Sequence, residues 1–197
     1  ALHDRGFVHG DIKLTNIMID VQGTVKLVDF GRAARVGEPI NILLGSPVYM
    51  APELHRREPS RIQSDIFSIG LVGLEMLAGH KIFERDEKNE NELLKLKNNL
   101  VKNIENYLPQ SVLQNAKFLQ VLKQFLAPNI ADRFLSAKQA VSGHESLVTS
   151  RQWFANAERE IEYGHELETF MAKFIDPEKG TLNPHFPSEN ITAFLIT

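Results

Sequence analysis

Residues 8–16 read VHGDIKLTN, and they set four polar groups, His9, Asp11, Lys13 and Asn16, within eight residues beside an apolar run. A glycine separates His9 from Asp11. Just downstream, NIMID (residues 16–20) and TVKLV (residues 24–28) are short β-rich runs on either side of Val21-Gln22-Gly23, the pattern of a small antiparallel hairpin. Asp11 precedes this hairpin, Asn16 opens it, and Asp29 follows its second strand. Antiparallel pairing brings the start of one strand beside the end of the other, so Asn16 and Asp29 are expected to meet. A carboxylate and an amide carbonyl are hard oxygen ligands suited to Mg²⁺. Asp11 adds a carboxylate able to accept a proton or orient a hydroxyl. Lys13 adds a charge able to neutralise a phosphoryl group in transfer. The chemistry these groups suggest is phosphoryl transfer from a Mg²⁺-bound nucleotide.

The bulk of the chain bounds this reading. At 197 residues it suggests one domain, or one and a small extra. Apolar residues make up 43% and charged residues 24%, an ordinary globular balance. The net charge of −3 does not point to nucleic acid or an anionic membrane. There is no cysteine, hence no disulfide framework and no thiolate metal site, which fits a reducing, cytoplasmic setting. No signal segment opens the chain, and the most apolar stretch, IFSIGLVGLEMLAG at residues 66–79, carries Glu75 and is too short to span a bilayer.

Along the chain, residues 1–7 read as a helix end running into a loop at Gly6, and residues 31–45 as a long loop. Helices are expected after Pro52: residues 64–77, apolar nearly all round and so buried, then 93–107, 111–126 and 136–147. DEKNENE at residues 86–92 reads as a solvated loop or helix start. Ser150 looks like an N-cap, and residues 153–174 carry an apolar stripe at helical spacing, a packing face. ITAFLIT, at the end of the chain, suits a short docked strand. His165-Glu166 begins like a zinc helix, but Thr169 stands where the second His is needed.

The motifs together resemble those of protein kinases. HGDIKLTN is similar to the catalytic loop H-R-D-x-x-x-x-N, Asp29-Phe30-Gly31 to the D-F-G motif, and Met50-Ala51-Pro52-Glu53 to the A-P-E motif. Residues 64–70, SDIFSIG, resemble the start of the central buried helix, and Asp132-Arg133 the late Arg that closes the lobe. The resemblance covers residues 1–148 and implies a mainly α fold. This is the kinase carboxy-terminal lobe, a helical core with a small β-hairpin carrying the catalytic and metal-binding loops. Residues 149–197 would be a C-terminal helix and tail.

By the same resemblance, Asp11 is the catalytic base, and Lys13 is the lysine that serine/threonine kinases place at the transferring phosphoryl. Asn16 and Asp29 are the Mg²⁺ ligands, and Met18 lies under the adenine of ATP. Ser46, in GSPVYMAPE, is the hydroxyl residue of the substrate-binding loop. His9, Phe30, Gly31, Glu53, Asp65 and Arg133 are structural. His9 packs near Phe30, Glu53 pairs with Arg133, and Asp65 accepts backbone N–H bonds around His9. The implied partners are a nucleotide and a protein substrate.

Two departures stand out. Gly10 occupies the place of the family's Arg, which pairs with a phosphorylated activation loop, and residues 32–45 contain no Ser, Thr or Tyr. Activity is therefore expected not to depend on loop phosphorylation. No glycine-rich nucleotide loop precedes the catalytic loop, so the chain reads as a lobe cut from a longer enzyme, inactive alone. Such a lobe exposes apolar surface, which the helix over residues 150–174 or a second copy of the chain would cover. The readings that compete are a kinase-fold scaffold without activity and a small-molecule phosphotransferase of the aminoglycoside or choline kinase type. The latter often reads H-G-D but lacks the A-P-E segment. The short loop and unfamiliar tail also resemble compact kinases that bacterial pathogens inject into host cells, which would place the protein in host cytoplasm.

Overall fold

The computed structural model describes residues 2–20, 24–38, 47–83 and 89–142. They fall into two compact units, residues 2–13 together with 29–142, and Leu14–Val28. The larger unit opens with a 3-10 turn, His3–Arg5, rather than the end of an α-helix. Strand β1 (Phe7–Val8) then leads directly into the polar cluster.

Leu14–Val28 is the hairpin. Strands β2 (Ile17–Ile19) and β3 (Val25–Leu27) pair antiparallel, with Ile17 opposite Leu27 and Ile19 opposite Val25. The Val28 N–H donates to the Asn16 carbonyl at 3.0 Å, and the Thr24 N–H to the Asp20 carboxylate at 2.8 Å, so both ends are tied. The turn residues 21–23 lie outside the described residues.

In the larger unit, residues 34–35 are not loop. Strand β4 (Ala34–Arg35) pairs antiparallel with β1, Phe7 opposite Arg35 and Val8 opposite Ala34. Two residues are too few for alternation to register in a sequence, so only the pairing reveals the strand.

Helix α1 (Pro52–His55) starts on a proline, whose fixed φ and missing N–H suit the first helical position. Helix α2 (Ile62–Ala78) is the centre of the unit, with Ile66, Phe67, Leu71 and Leu74 at 1% exposure or less. Each such side chain contributes roughly 1.5–3 kcal/mol on burial. The helix is not buried on every side: Ile69 and Met76 are 37% and 71% exposed. Glu75 is inside, accepting the Tyr49 hydroxyl at 2.6 Å and the Ile82 N–H at 3.1 Å. No helix among the described residues is long and apolar enough to cross a membrane.

Helix α3 (Glu90–Leu100) starts at Asn89, whose side chain accepts the Glu92 N–H, so the charge run ends as a capped helix start. The segment expected as one helix over residues 111–126 is two, α4 (Gln110–Leu113) and α5 (Ala116–Phe125). The break is Asn115, which takes the Phe118 N–H at 2.9 Å and so restarts the helix. Gly70 lets α5 close on α2: a Cβ there would lie 2.6 Å from Phe125 Cβ. Helix α6 (Ala137–Ser142) ends the described chain. The expected helix over 150–174, the last strand and Ser46 fall outside it.

Two buried cations tie these helices together. Arg133, 2% exposed, spends all five N–H donors. They go to both Glu53 oxygens at 2.8 and 2.9 Å and to the carbonyls of Ala127, Gln63 and Pro128. Its guanidinium also lies 4.9 Å from the Phe67 ring centroid. Lys97, 0% exposed, donates to the Pro47 carbonyl and to the Met50 carbonyl at 2.6 Å, and contacts His55 Nε2 at 2.9 Å. Burial pulls the Lys97 amine down to about 7, against the opposing pull of Glu53 and Glu90. Burial and the Lys97 charge take His55 down to about 4.

Gly10 has φ +74, and a Cβ there would sit 2.7 Å from the Arg32 carbonyl oxygen. The β1–β4 pairing carries that carbonyl close to the loop. A side chain at position 10 therefore meets both a left-handed backbone, worth about 1–2 kcal/mol for an L-residue, and a backbone clash.

Gly10→Ala is expected to lower unfolding stability in urea by at least about 1 kcal/mol; an unchanged midpoint would contradict the geometry. Arg133→Met strands the Glu53 carboxylate and is expected to cost about 3–5 kcal/mol, with the Glu53→Gln, Arg133→Met double variant costing less than the sum; strict additivity would refute the coupling. Lys97 is held below its unfolded value of 10.5. The unfolded chain therefore binds more protons between pH 7 and 10.5, and the lysine's contribution to stability rises with pH across that window. Wild type measured against Lys97→Met should gain stability from pH 7 toward pH 10; a difference that stays flat would refute this.

Candidate active site

The polar cluster is hung from the first turn of α2. One carboxylate, Asp65, accepts the His9 N–H at 2.7 Å and the Gly10 N–H at 3.0 Å and pairs with His3 Nε2 at 2.9 Å. Its 2% exposure means these partners replace water, and each buried backbone donor is satisfied. His9 is wholly buried, its Nδ1 accepts the Asp11 N–H at 3.3 Å, and its ring lies 5.0 Å from the Phe30 ring. These contacts fix His9 as a spacer between α2 and the residues that follow it.

Asp11 is thereby held at 6% exposure. Lys13 Nζ lies 2.8 Å from its Oδ2. Arg32 Nη1 lies 3.6 Å from its Oδ1, too far for a hydrogen bond, and that nitrogen is buried with no hydrogen-bond partner among the described residues. The loop thus gathers a nearly buried carboxylate between two cations, a set able to take a proton and to sit beside a phosphoryl group. A small cavity of about 10 Å³ lies under it, with Asp11, Asp65, Tyr49 and Met50 among its walls.

Asp29 is exposed and sits at φ 64, in the left-handed region that a non-glycine residue rarely adopts. Its Oδ1 accepts the Gly31 N–H at 3.3 Å, and Phe30 is 52% exposed. Strain of this kind, about 1–3 kcal/mol, persists where the surroundings impose it and gathers at functional sites. In the hairpin unit, Asn16 and Met18 are both buried. Glu53 and Arg133 form the buried pair already described.

Three residues of this region escaped the sequence reading. His3 looks like one more polar residue of a helix end; only the fold brings it to Asp65. Arg32 carried a signal, a cation directly after Gly31, but its direction depends on the β1–β4 pairing. Lys97 sits in an alternating polar stretch of α3 and looks solvated.

Comparison with known proteins gives the family. A family model described as the protein kinase domain matches residues 1–145. Atypical protein kinase C of Drosophila melanogaster is 28% identical over 204 residues, covering 96% of this chain and 32% of the relative. The serine/threonine-protein kinase shk2 of Schizosaccharomyces pombe is 28% identical over 163 residues, 77% of this chain and 27% of the relative. The chain thus spans about a third or less of these relatives. The structure of the kinase PK-1 of Cydia pomonella granulovirus aligns with a TM-score of 0.59 at 24% identity, over 73% of this chain and 52% of that one. This is a likeness of fold. None of these relatives lends support to a bacterial effector origin. With the match spanning most of its length, the chain belongs to the protein kinase family.

Proposed function

We propose that the chain is the carboxy-terminal, catalytic-loop lobe of a serine/threonine protein kinase that transfers the γ-phosphoryl of Mg-ATP to a protein hydroxyl. The observation that carries the reading is the Asp11–Lys13 pair, a nearly buried carboxylate with an ammonium 2.8 Å away, in a member of the protein kinase family. Relatives named as serine/threonine kinases point the same way.

In this reading the acceptor oxygen bonds to the γ-phosphorus as the bond to the ADP oxygen breaks, and the hydroxyl proton passes to Asp11. Lys13 balances the charge on the phosphoryl oxygens. Asn16 and Asp29 have the amide and carboxylate oxygens that would hold Mg²⁺. The metal, when bound, neutralises charge on the nucleotide phosphates. Met18 would support the adenine and Ser46 the acceptor segment.

The test uses the full-length protein, titrated with ATP in the presence and absence of Mg²⁺ and assayed for phosphate transfer to casein. Asp11→Asn should bind Mg-ATP like wild type yet lose transfer by about 10²–10⁴-fold. Asp29→Asn should lose the Mg²⁺-dependent part of binding as well. Wild-type activity in Asp11→Asn would sink the role given to Asp11, and Mg²⁺-independent binding with no transfer throughout would sink the reading and favour a scaffold.

A further inference from the structure

The segment just before α1 faces the site and is held with unusual thoroughness for a stretch outside regular structure. Tyr49 and Met50 share the walls of the cavity that Asp11 lines. Three of the segment's four carbonyls are taken by side chains from two helices. Ser68 of α2 donates to the Tyr49 carbonyl at 2.8 Å, and Lys97 of α3 donates to those of Pro47 and Met50. The Tyr49 side chain is tied as well, through its hydroxyl to Glu75.

Of these ties, the lysine is the one that stability alone explains least. An ammonium buried at 0% exposure with no carboxylate in hydrogen-bond contact among the described residues is costly, and a leucine or methionine would fill the same space without that cost. What an apolar residue cannot do is bridge two backbone carbonyls three residues apart. The amine does so in either protonation state. As an ammonium it has three donors for the two carbonyls and His55 Nε2. As a neutral amine it keeps two donors for the carbonyls and accepts from His55. In the first case His55 Nδ1–H points toward Glu90 Oε1, 3.5 Å away. The clamp is therefore not a pH switch; its geometry is what it supplies.

We propose that Lys97 is a positioning residue for the acceptor polypeptide: by bridging the Pro47 and Met50 carbonyls it fixes the segment at residues 47–50 as the ledge on which a substrate chain rests beside Asp11. The proposal rests on the kinase reading above. It assigns α3 a part in phosphoryl transfer to proteins that involves no contact with nucleotide.

The test compares the full-length wild type with Lys97→Met and with His55→Gln, which leaves both carbonyl contacts in place. Three quantities are read: hydrogen exchange of the Val48, Tyr49 and Met50 amides, the KM for casein, and the affinity for Mg-ATP. Two lost hydrogen bonds of ordinary strength correspond to a rise of about tenfold or more in the casein KM. Lys97→Met should show that rise together with faster exchange at the three amides, while Mg-ATP affinity stays within about twofold. His55→Gln should leave the casein KM near wild type. Should Lys97→Met fail to fold, Lys97→Gln, which can still reach one carbonyl, is read in its place and should show a smaller shift in the same direction. Unchanged exchange overturns the clamp. A casein KM that rises while the Mg-ATP affinity falls with it reduces Lys97 to general stability and overturns the positioning role. A wild type that binds Mg-ATP but phosphorylates no protein overturns the kinase reading, and the exchange measurement still decides the clamp.

Discussion

Arg133 and Glu53 are eighty residues apart in sequence and share a site from which water is excluded. A buried ion pair is a poor source of net stability, because removing two charges from water offsets most of their attraction. Its value here is directional. The guanidinium has a fixed fork of five donors, and all five are taken, by a carboxylate on α1 and carbonyls in the first turn of α2 and after α5. Only one mutual placement of those segments satisfies every donor. Ser64 adds a further bond to the same carboxylate at 2.8 Å, one residue before Asp65. The constraint that closes the helical core thereby also sets the first turn of α2, and from that turn the loop at His9 and Gly10 is suspended.

The site is a consequence of this suspension. Asp65 draws in His3, His9 and Gly10; His9 spaces Phe30; and Asp11 is left beside Lys13 and Arg32. The Asp65 contacts satisfy polar groups in a place with little water, where an unsatisfied one costs about 1–3 kcal/mol. Gly10 takes its meaning from the same geometry. A missing arginine suggests a missing phosphorylation switch; the structure adds that the backbone at this point is left-handed and closed on by the Arg32 carbonyl.

Much of this was legible in the amino-acid sequence because it depends on motif order. HGDIKLTN, DFG and MAPE in their spacing identify the fold, and the hairpin follows from two β-rich runs around a glycine turn. The α2 helix, the Glu53–Arg133 contact and the Asp65 contacts to the loop follow from the same resemblance. What escaped is what depends on direction rather than order. The β4 strand is two residues long and has no period. Asn115 reads as an ordinary polar residue until its side chain caps α5. Ile69 and Met76 are as apolar as their buried neighbours. Arg32 and Lys97 have side chains long enough to reach several places, and only packing decides which.

In the function proposed above, these contacts hold a working phosphoryl-transfer site directed at protein hydroxyls. The most direct measurement is phosphoamino-acid analysis of casein labelled by the full-length protein with [γ-³²P]ATP and Mg²⁺. Phosphoserine or phosphothreonine is expected, sharply reduced in Lys13→Met. Phosphotyrosine as the main product, or no label on protein from a folded enzyme that binds nucleotide, would contradict it.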